Sequence, residues 1–145
     1  MLLLLQTAAL LRCTLPFTNS SEFQMRANSH VIGQEAEDHA CRYLLQQGLQ
    51  LIRRNYRCRG GEIDLICQDQ QVLVFVEVRY RQESRFGNAA DSVTYTKQRK
   101  LIHAASHYLQ YYPNRLPCRF DVVTITPQSK QGLETLWIRD AFQVE

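Results

Sequence analysis

The sequence predicts an α/β fold with a mixed central sheet flanked by helices, in the order αβββαβ plus a final strand. Three observations carry that expectation. Residues 32–47 and 92–112 repeat apolar side chains at helical spacing. Five other stretches are apolar or alternating over strand length and are bounded by turn residues. The second helical stretch falls between the third and fourth strands, where a crossover lets those strands run parallel. At 145 residues, 45% hydrophobic and 21% charged, the chain has the size and composition of one folded domain.

The domain is expected at 31–145, behind an N-terminal extension at 1–30. MLLLLQTAALL has the length of a signal-peptide apolar region and is too short to span a bilayer. It lacks a basic flank, and Arg12 spoils a lipoprotein-type site at Cys13. It reads as an unstructured extension or as translation from an upstream start, with Met25 as the true one; secretion is the remaining alternative. CTLPFTNSSEFQMRANSH is polar and aperiodic, as a disordered tail would be.

The first helix places Ala36, Ala40, Tyr43 and Leu44 on one stripe, and Gly48 follows as its stop. LQLIRRNYRCR, GEIDLICQ and QVLVFVEVRYR are then three strands of a meander, with a polar turn around Asp69 and Gln70. QESRFGNAADS is a polar loop. The second helix aligns Leu101, Ala104, Ala105, Tyr108, Leu109 and Tyr112, and Pro113 ends it. RFDVVTIT and LETLWIRDAF, divided by PQSKQG, complete the sheet.

The net charge of +3 excludes little, but the basic residues are clustered. Arg53, Arg54, Arg57 and Arg59 precede the second strand; Arg79, Arg81, Arg85, Lys97, Arg99 and Lys100 follow it. Such flanking clusters suit a phosphate backbone, and a solvated surface is the bland alternative. Five scattered cysteines with no CxxC pair indicate neither a disulfide framework nor a zinc site, and fit reduced thiols in the cytoplasm.

Glu62, Asp64 and Glu77 interrupt otherwise apolar strands. With Gln68 opposite Gln71 across a two-residue turn, Asp64 falls opposite Phe75 and diagonal to Glu77, at about 7–8 Å on one face. Two carboxylates so placed can hold a divalent cation. Ile63, Leu65 and Cys67 with Val72, Val74, Val76 and Val78 then form the opposite, apolar face. Charge is costly to bury unless paired or metal-bound, so the acids need a partner. An internal network of Asp64 or Glu77 with Arg79 is the alternative. On the second helix Lys97 and Gln98 share the core-facing arc, whereas Arg99 and Lys100 point away. Lys97 is thus aimed at the sheet, unless it snorkels. His103 and His107, at i and i+4, lie opposite the apolar stripe and read as surface residues.

GQEAEDHA, NYRCRGGEIDLI, VFVEVRYR, FGNAADSVTYTKQRKL and RFDVV, in this order over about 32–141, resemble the YraN family of bacterial proteins. That resemblance implies the restriction-endonuclease-like fold of the PD-(D/E)xK superfamily, with kinship to Holliday-junction resolvases. It implies Mg²⁺, with Mn²⁺ as an alternative, and phosphodiester hydrolysis in nucleic acid, DNA first. By position Asp64 and Glu77 resemble the two strand acids and Glu35 the helical acid. Arg79 stands where the signature has lysine, and arginine is a poor base. Lys97 then becomes the candidate to supply the amine, with Gln98 supporting it. Glu62 is a further ligand or a partner for an arginine. Arg53, Arg54, Arg57, Arg85, Arg99 and Lys100 are expected on phosphates. A nucleic-acid-binding or adaptor module without turnover is the rival reading, and it accounts for Arg79. No membrane partner is expected; a homodimer stays open, with Trp137 or Tyr111 at its interface.

Overall fold

A computed structural model describes residues 29–82, 93–128 and 132–144. The expected N-terminal extension up to residue 28, the loop carrying Arg85, and Ser92 lie outside the described residues.

The described chain runs α1 (Ser29–Gln46), β1 (Gln50–Cys58), β2 (Gly61–Asp69), β3 (Val72–Tyr80), α2 (Tyr95–Tyr111), β4 (Cys118–Gln128) and β5 (Gly132–Phe142). The sheet is five-stranded in the order β1-β2-β3-β4-β5. β3 and β4 are parallel across the α2 crossover, and the other pairs are antiparallel. This is the expected mixed α/β architecture. α2 begins at Tyr95 because the Thr94 side chain caps it, accepting from the Lys97 amide at 3.4 Å.

The sheet divides two cores. Ala36, Ala40 and Leu44 of α1 cover Leu65, Val74, Val76, Val123 and Ile125. Leu101, Ala104, Ala105 and Tyr108 of α2 cover Ile63, Ile66, Phe75, Phe120 and Val122. β3 and β4, buried on both faces, are accordingly the most continuously apolar strands. Cys41, Cys58, Cys67 and Cys118 are unbridged thiols; burial pushes that of Cys67 up to about 12, so it is protonated at neutral pH.

Two expectations about the hairpin are corrected. Gln70 takes a left-handed φ of 52°, so the turn is Gln70–Gln71 and Asp69 pairs with Val72. Gln68 therefore faces Leu73, not Gln71, and the whole register moves by two residues. The alternation of faces also breaks at Asp64. Ile63 packs under α2 while Leu65 packs under α1, so Ile63 does not join the apolar face expected for it. At that level of β1 Asn55 has φ 50°, a conformation Asn tolerates better than most residues.

Candidate active site

The hairpin register is paired as far as Leu65 with Val76. One step further along it come Asp64 and Glu77, level with one another rather than diagonal. There the Val78 amide donates to Asp64 Oδ2 at 2.8 Å. Burial and the neighbouring Glu77 charge push the Asp64 carboxyl up to about 7, against the pull of that amide and of Lys97.

Glu77 is 3% exposed. Lys97 Nζ stands 3.1 Å from its Oε2, and Arg79 Nη1 stands 3.6 Å from its Oε1. The Lys97 contact is an ion pair without hydrogen-bond alignment, and Oε2 is buried with no hydrogen-bond partner among the described residues. Lys97 also reaches Glu62 Oε1 at 3.7 Å, and Glu62 Oε2 lies 3.6 Å from Arg57 Nε. Asp64, Glu77, Arg79, Lys97 and Glu62 are thus one electrostatic cluster, in which both the expected acid–Arg79 pair and the expected inward Lys97 are present.

A second buried acid shows how unusual Glu77 is. Asp121, on the neighbouring strand and 1% exposed, receives Arg119 Nε at 3.0 Å, Trp137 Nε1 at 2.9 Å and the Asp140 amide at 3.0 Å. Its charge is fully compensated within the fold. Glu77 keeps a buried carboxylate oxygen unbonded beside a second carboxyl that burial holds half-protonated near neutrality.

Glu35 lies on α1 with Oε2 buried. Among the described residues no three His, Cys, Asp or Glu side chains converge tightly enough to share one ion, so Glu35 does not complete a three-carboxylate set with Asp64 and Glu77 here. Sequence reasoning missed Glu37. Burial raises its carboxyl first and the charge of Asp64 second, while an Asn55 side-chain hydrogen bond lowers it. The available signal was its position four residues before Cys41, on the buried stripe.

The expected phosphate-binding arginines do not form one patch, because adjacent strand residues go to opposite faces. Arg54 is tied to Asp38 of α1, whereas Arg53 donates to the Tyr112 hydroxyl beside α2 at 2.8 Å. Gln98 Nε2 donates to the Val93 carbonyl at 3.0 Å instead of entering the acid cluster. Arg99 and Lys100 are exposed on the outside of α2, as read from the helical wheel. His103 bonds the Arg59 carbonyl and His107 the Tyr56 hydroxyl, so the two imidazoles are engaged separately. Tyr111 is exposed; Trp137 is held by Asp121 and by the Arg139 guanidinium 4.0 Å above its ring. No helix among the described residues is long and apolar enough to cross a membrane.

Comparison with known proteins adds kinship. The model of the uncharacterised protein family UPF0102 matches residues 36–125. A UPF0102 protein of Nitrosococcus oceani is 56% identical over 116 residues, 78% of this chain and 92% of the relative. One from a Janthinobacterium strain is 50% identical over 118 residues, 81% and 92% of the two chains. One from Pseudomonas entomophila is 46% identical over 119 residues, 81% and 97% of the two chains. Their names state no activity.

Proposed function

The chain belongs to the UPF0102 family, the YraN family its motifs resemble, and from that premise we propose that it is a divalent-metal-dependent endonuclease acting on nucleic acid, with DNA as the expected substrate. The observation that carries the reading is Glu77: a buried carboxylate with an unbonded oxygen, level with the raised carboxyl of Asp64. Lys97 and Arg79 offset the Glu77 charge, but the same charge raises the cost of ionising Asp64 beside it. A dication would relieve Asp64 and take up the Glu77 oxygen that no hydrogen bond reaches. The donor set is all oxygen, as hard cations require, and Mg²⁺ commonly takes only one or two carboxylates, leaving its other positions to water and phosphate.

Asp64 and Glu77 would hold Mg²⁺ or Mn²⁺. When bound, such an ion supplies Lewis-acid chemistry, activating water and offsetting charge on the scissile phosphate. Arg79, permanently protonated, orients Glu77 Oε1 and stabilises negative charge developing on the phosphate. Lys97, the amine closest to the acid pair, takes the place of the signature lysine in positioning the attacking water. Val78 fixes the Asp64 rotamer through its amide, so one ligand is oriented before substrate arrives.

Arg79 in the lysine position favours a second reading, a nucleic-acid-binding module without turnover. The test is Mg²⁺- and Mn²⁺-dependent cleavage of labelled duplex, single-stranded and branched DNA. Cleavage abolished in Asp64→Asn and in Glu77→Gln, with binding in EDTA retained, supports the nuclease. Metal titration that is silent in the wild type, with DNA bound and uncut, leaves the binding module.

A further inference from the structure

We propose that the exposed flank of α2 beside the β1–β2 turn is a track for single-stranded nucleic acid; that the track feeds the Asp64–Glu77 site rests on the nuclease reading, but the binding itself does not. Tyr95, Arg99, His103, His107 and Tyr111 recur every four residues and wind along the flank of α2 beside β1 and the β1–β2 turn, where His107 bonds the Tyr56 hydroxyl. Each step advances about 6 Å, so the row extends about 24 Å along the helix. Its two ends are aromatic and open to solvent, Tyr95 at 74% and Tyr111 at 68% exposure.

The row borders a groove of about 570 Å³ between α2 and the β1–β2 turn, lined by Arg59, Gly60, Tyr95, Arg99, Lys100 and His103. Turn and helix meet closely at the floor of the groove. Gly61 lies so close to the Lys100 carbonyl that no side chain fits between turn and helix, and the His103 ring donates a hydrogen bond to the Arg59 carbonyl, 3.0 Å away. Several of the described cations are spent within the fold. Arg54, Arg57, Arg79, Lys97 and Arg119 are each paired with a carboxylate. Arg59, Arg99 and Lys100 enter no ion pair among the described residues, and all three are exposed at the groove. Unpaired cations at a groove mouth, with a bare aromatic ring among them, match a polyanion whose bases are available for stacking.

Stacking selects the form of the partner. A duplex offers phosphates but hides its base faces, so it would use Arg59, Arg99 and Lys100 and leave Tyr95 idle. A single strand uses both. At the far end, Tyr111 and His107 have ring centroids 4.9 Å apart, and the Arg53 guanidinium lies 5.4 Å from the Tyr112 ring, which extends the aromatic and cationic character to the end of the helix. At the near end, Gly60 is two residues from Glu62, which contacts Lys97 and through it Glu77. A strand lying in the groove is therefore delivered to the acid cluster at the first turn of α2, as suits a substrate with a single-stranded arm beside the bond to be cut.

The experiment is fluorescence anisotropy with the full chain in EDTA, using labelled oligothymidylate and a duplex of equal length. The wild type is expected to prefer the single strand. Tyr95→Ala, a change at an exposed side chain, should weaken oligothymidylate binding by about 5- to 100-fold and duplex binding little. Arg99→Ala with Lys100→Ala should lower the slope of log affinity against log salt by about 0.7 for each phosphate that is no longer neutralised. The proposal is overturned by equal affinity for duplex and single strand, by Tyr95→Ala and Tyr111→Ala both binding like the wild type, or by a protein partner on this face with no oligothymidylate bound. Cleavage is read separately. Tyr95-dependent binding without metal-dependent cleavage sinks only the nuclease, whereas cleavage with Tyr95-independent binding sinks only the track.

Discussion

Lys97 Nζ lies 3.1 Å from Glu77 Oε2 and joins the first turn of α2 to the middle of the sheet through a carboxylate that is 3% exposed. Removing one member of a buried ion pair strands the other, at a cost of about 3–5 kcal/mol. Here the Lys97 side chain is 23% exposed and Arg79 remains beside Oε1, so Lys97→Met should fall at about the lower end, 3 kcal/mol. Adding Glu77→Gln to it should recover part of that loss, as urea unfolding of the two variants will register. Lys97→Arg should keep stability near wild type yet still slow metal-dependent cleavage, which separates the structural role of the charge from the role of the amine.

Asp64 should make the metal-free protein less stable at neutral pH. Its carboxyl titrates at about 7 in the fold and near the ordinary 3.8 when unfolded. Between those values the folded state binds more protons, so the contribution of this group to stability is present at low pH and lost as pH rises toward 7. Asp64→Asn keeps an oxygen for the Val78 amide and cannot ionise. In EDTA above pH 7 the variant should melt higher than the wild type, and the two should converge below about pH 4. Mg²⁺ should raise the wild-type melting temperature and leave that of the variant unmoved.

Gly61 and Gly33 should respond in opposite directions to alanine. A Cβ on Gly61 would meet the Lys100 carbonyl and come within 3.2 Å of the Ala104 Cβ, and a helix backbone cannot step aside cheaply. Gly61→Ala should cost about 1–3 kcal/mol and weaken cleavage as well, because the displaced turn of α2 carries Lys97. Gly33, inside α1, has nothing within 4 Å of the same position. Gly33→Ala should add about 0.5–1 kcal/mol through helix propensity alone. Denaturant melts of the two variants decide both halves.

Elements are legible in the sequence because burial dictates them locally, and register is not. The stop at Tyr112–Pro113 and the continuous apolar run of β3 mark their elements within a few residues. The hairpin register differs by two residues from the one expected because its placement is fixed from a distance. Asp69, expected in the turn, is instead the last paired residue of β2, and its carboxylate accepts from Arg119 Nη2 of β4 at 2.8 Å. No local pattern contains that contact. The split of Arg53 and Arg54 between the two helices follows from strand alternation, whereas the reversal at Asp64 depends on one left-handed residue, Asn55, which a period-two reading passes over.

Glu37 supplies the last prediction, because it distinguishes an electrostatic neighbour from a metal ligand. Its carboxyl is raised by burial and by Asp64, and its side chain is hydrogen-bonded to Asn55. Coupling of this kind is mutual, so deleting the Glu37 charge must make Asp64 easier to ionise. Glu37→Gln should therefore shift the acid limb of metal binding, and of cleavage, to lower pH while keeping the plateau rate within a few-fold of wild type. A ligand would behave differently: its loss would depress metal affinity at every pH. Calorimetric titration of Mn²⁺ across pH, with Glu35→Gln alongside, reads the difference, and a uniform loss in Glu37→Gln would move the helical acid of the site from Glu35 to Glu37.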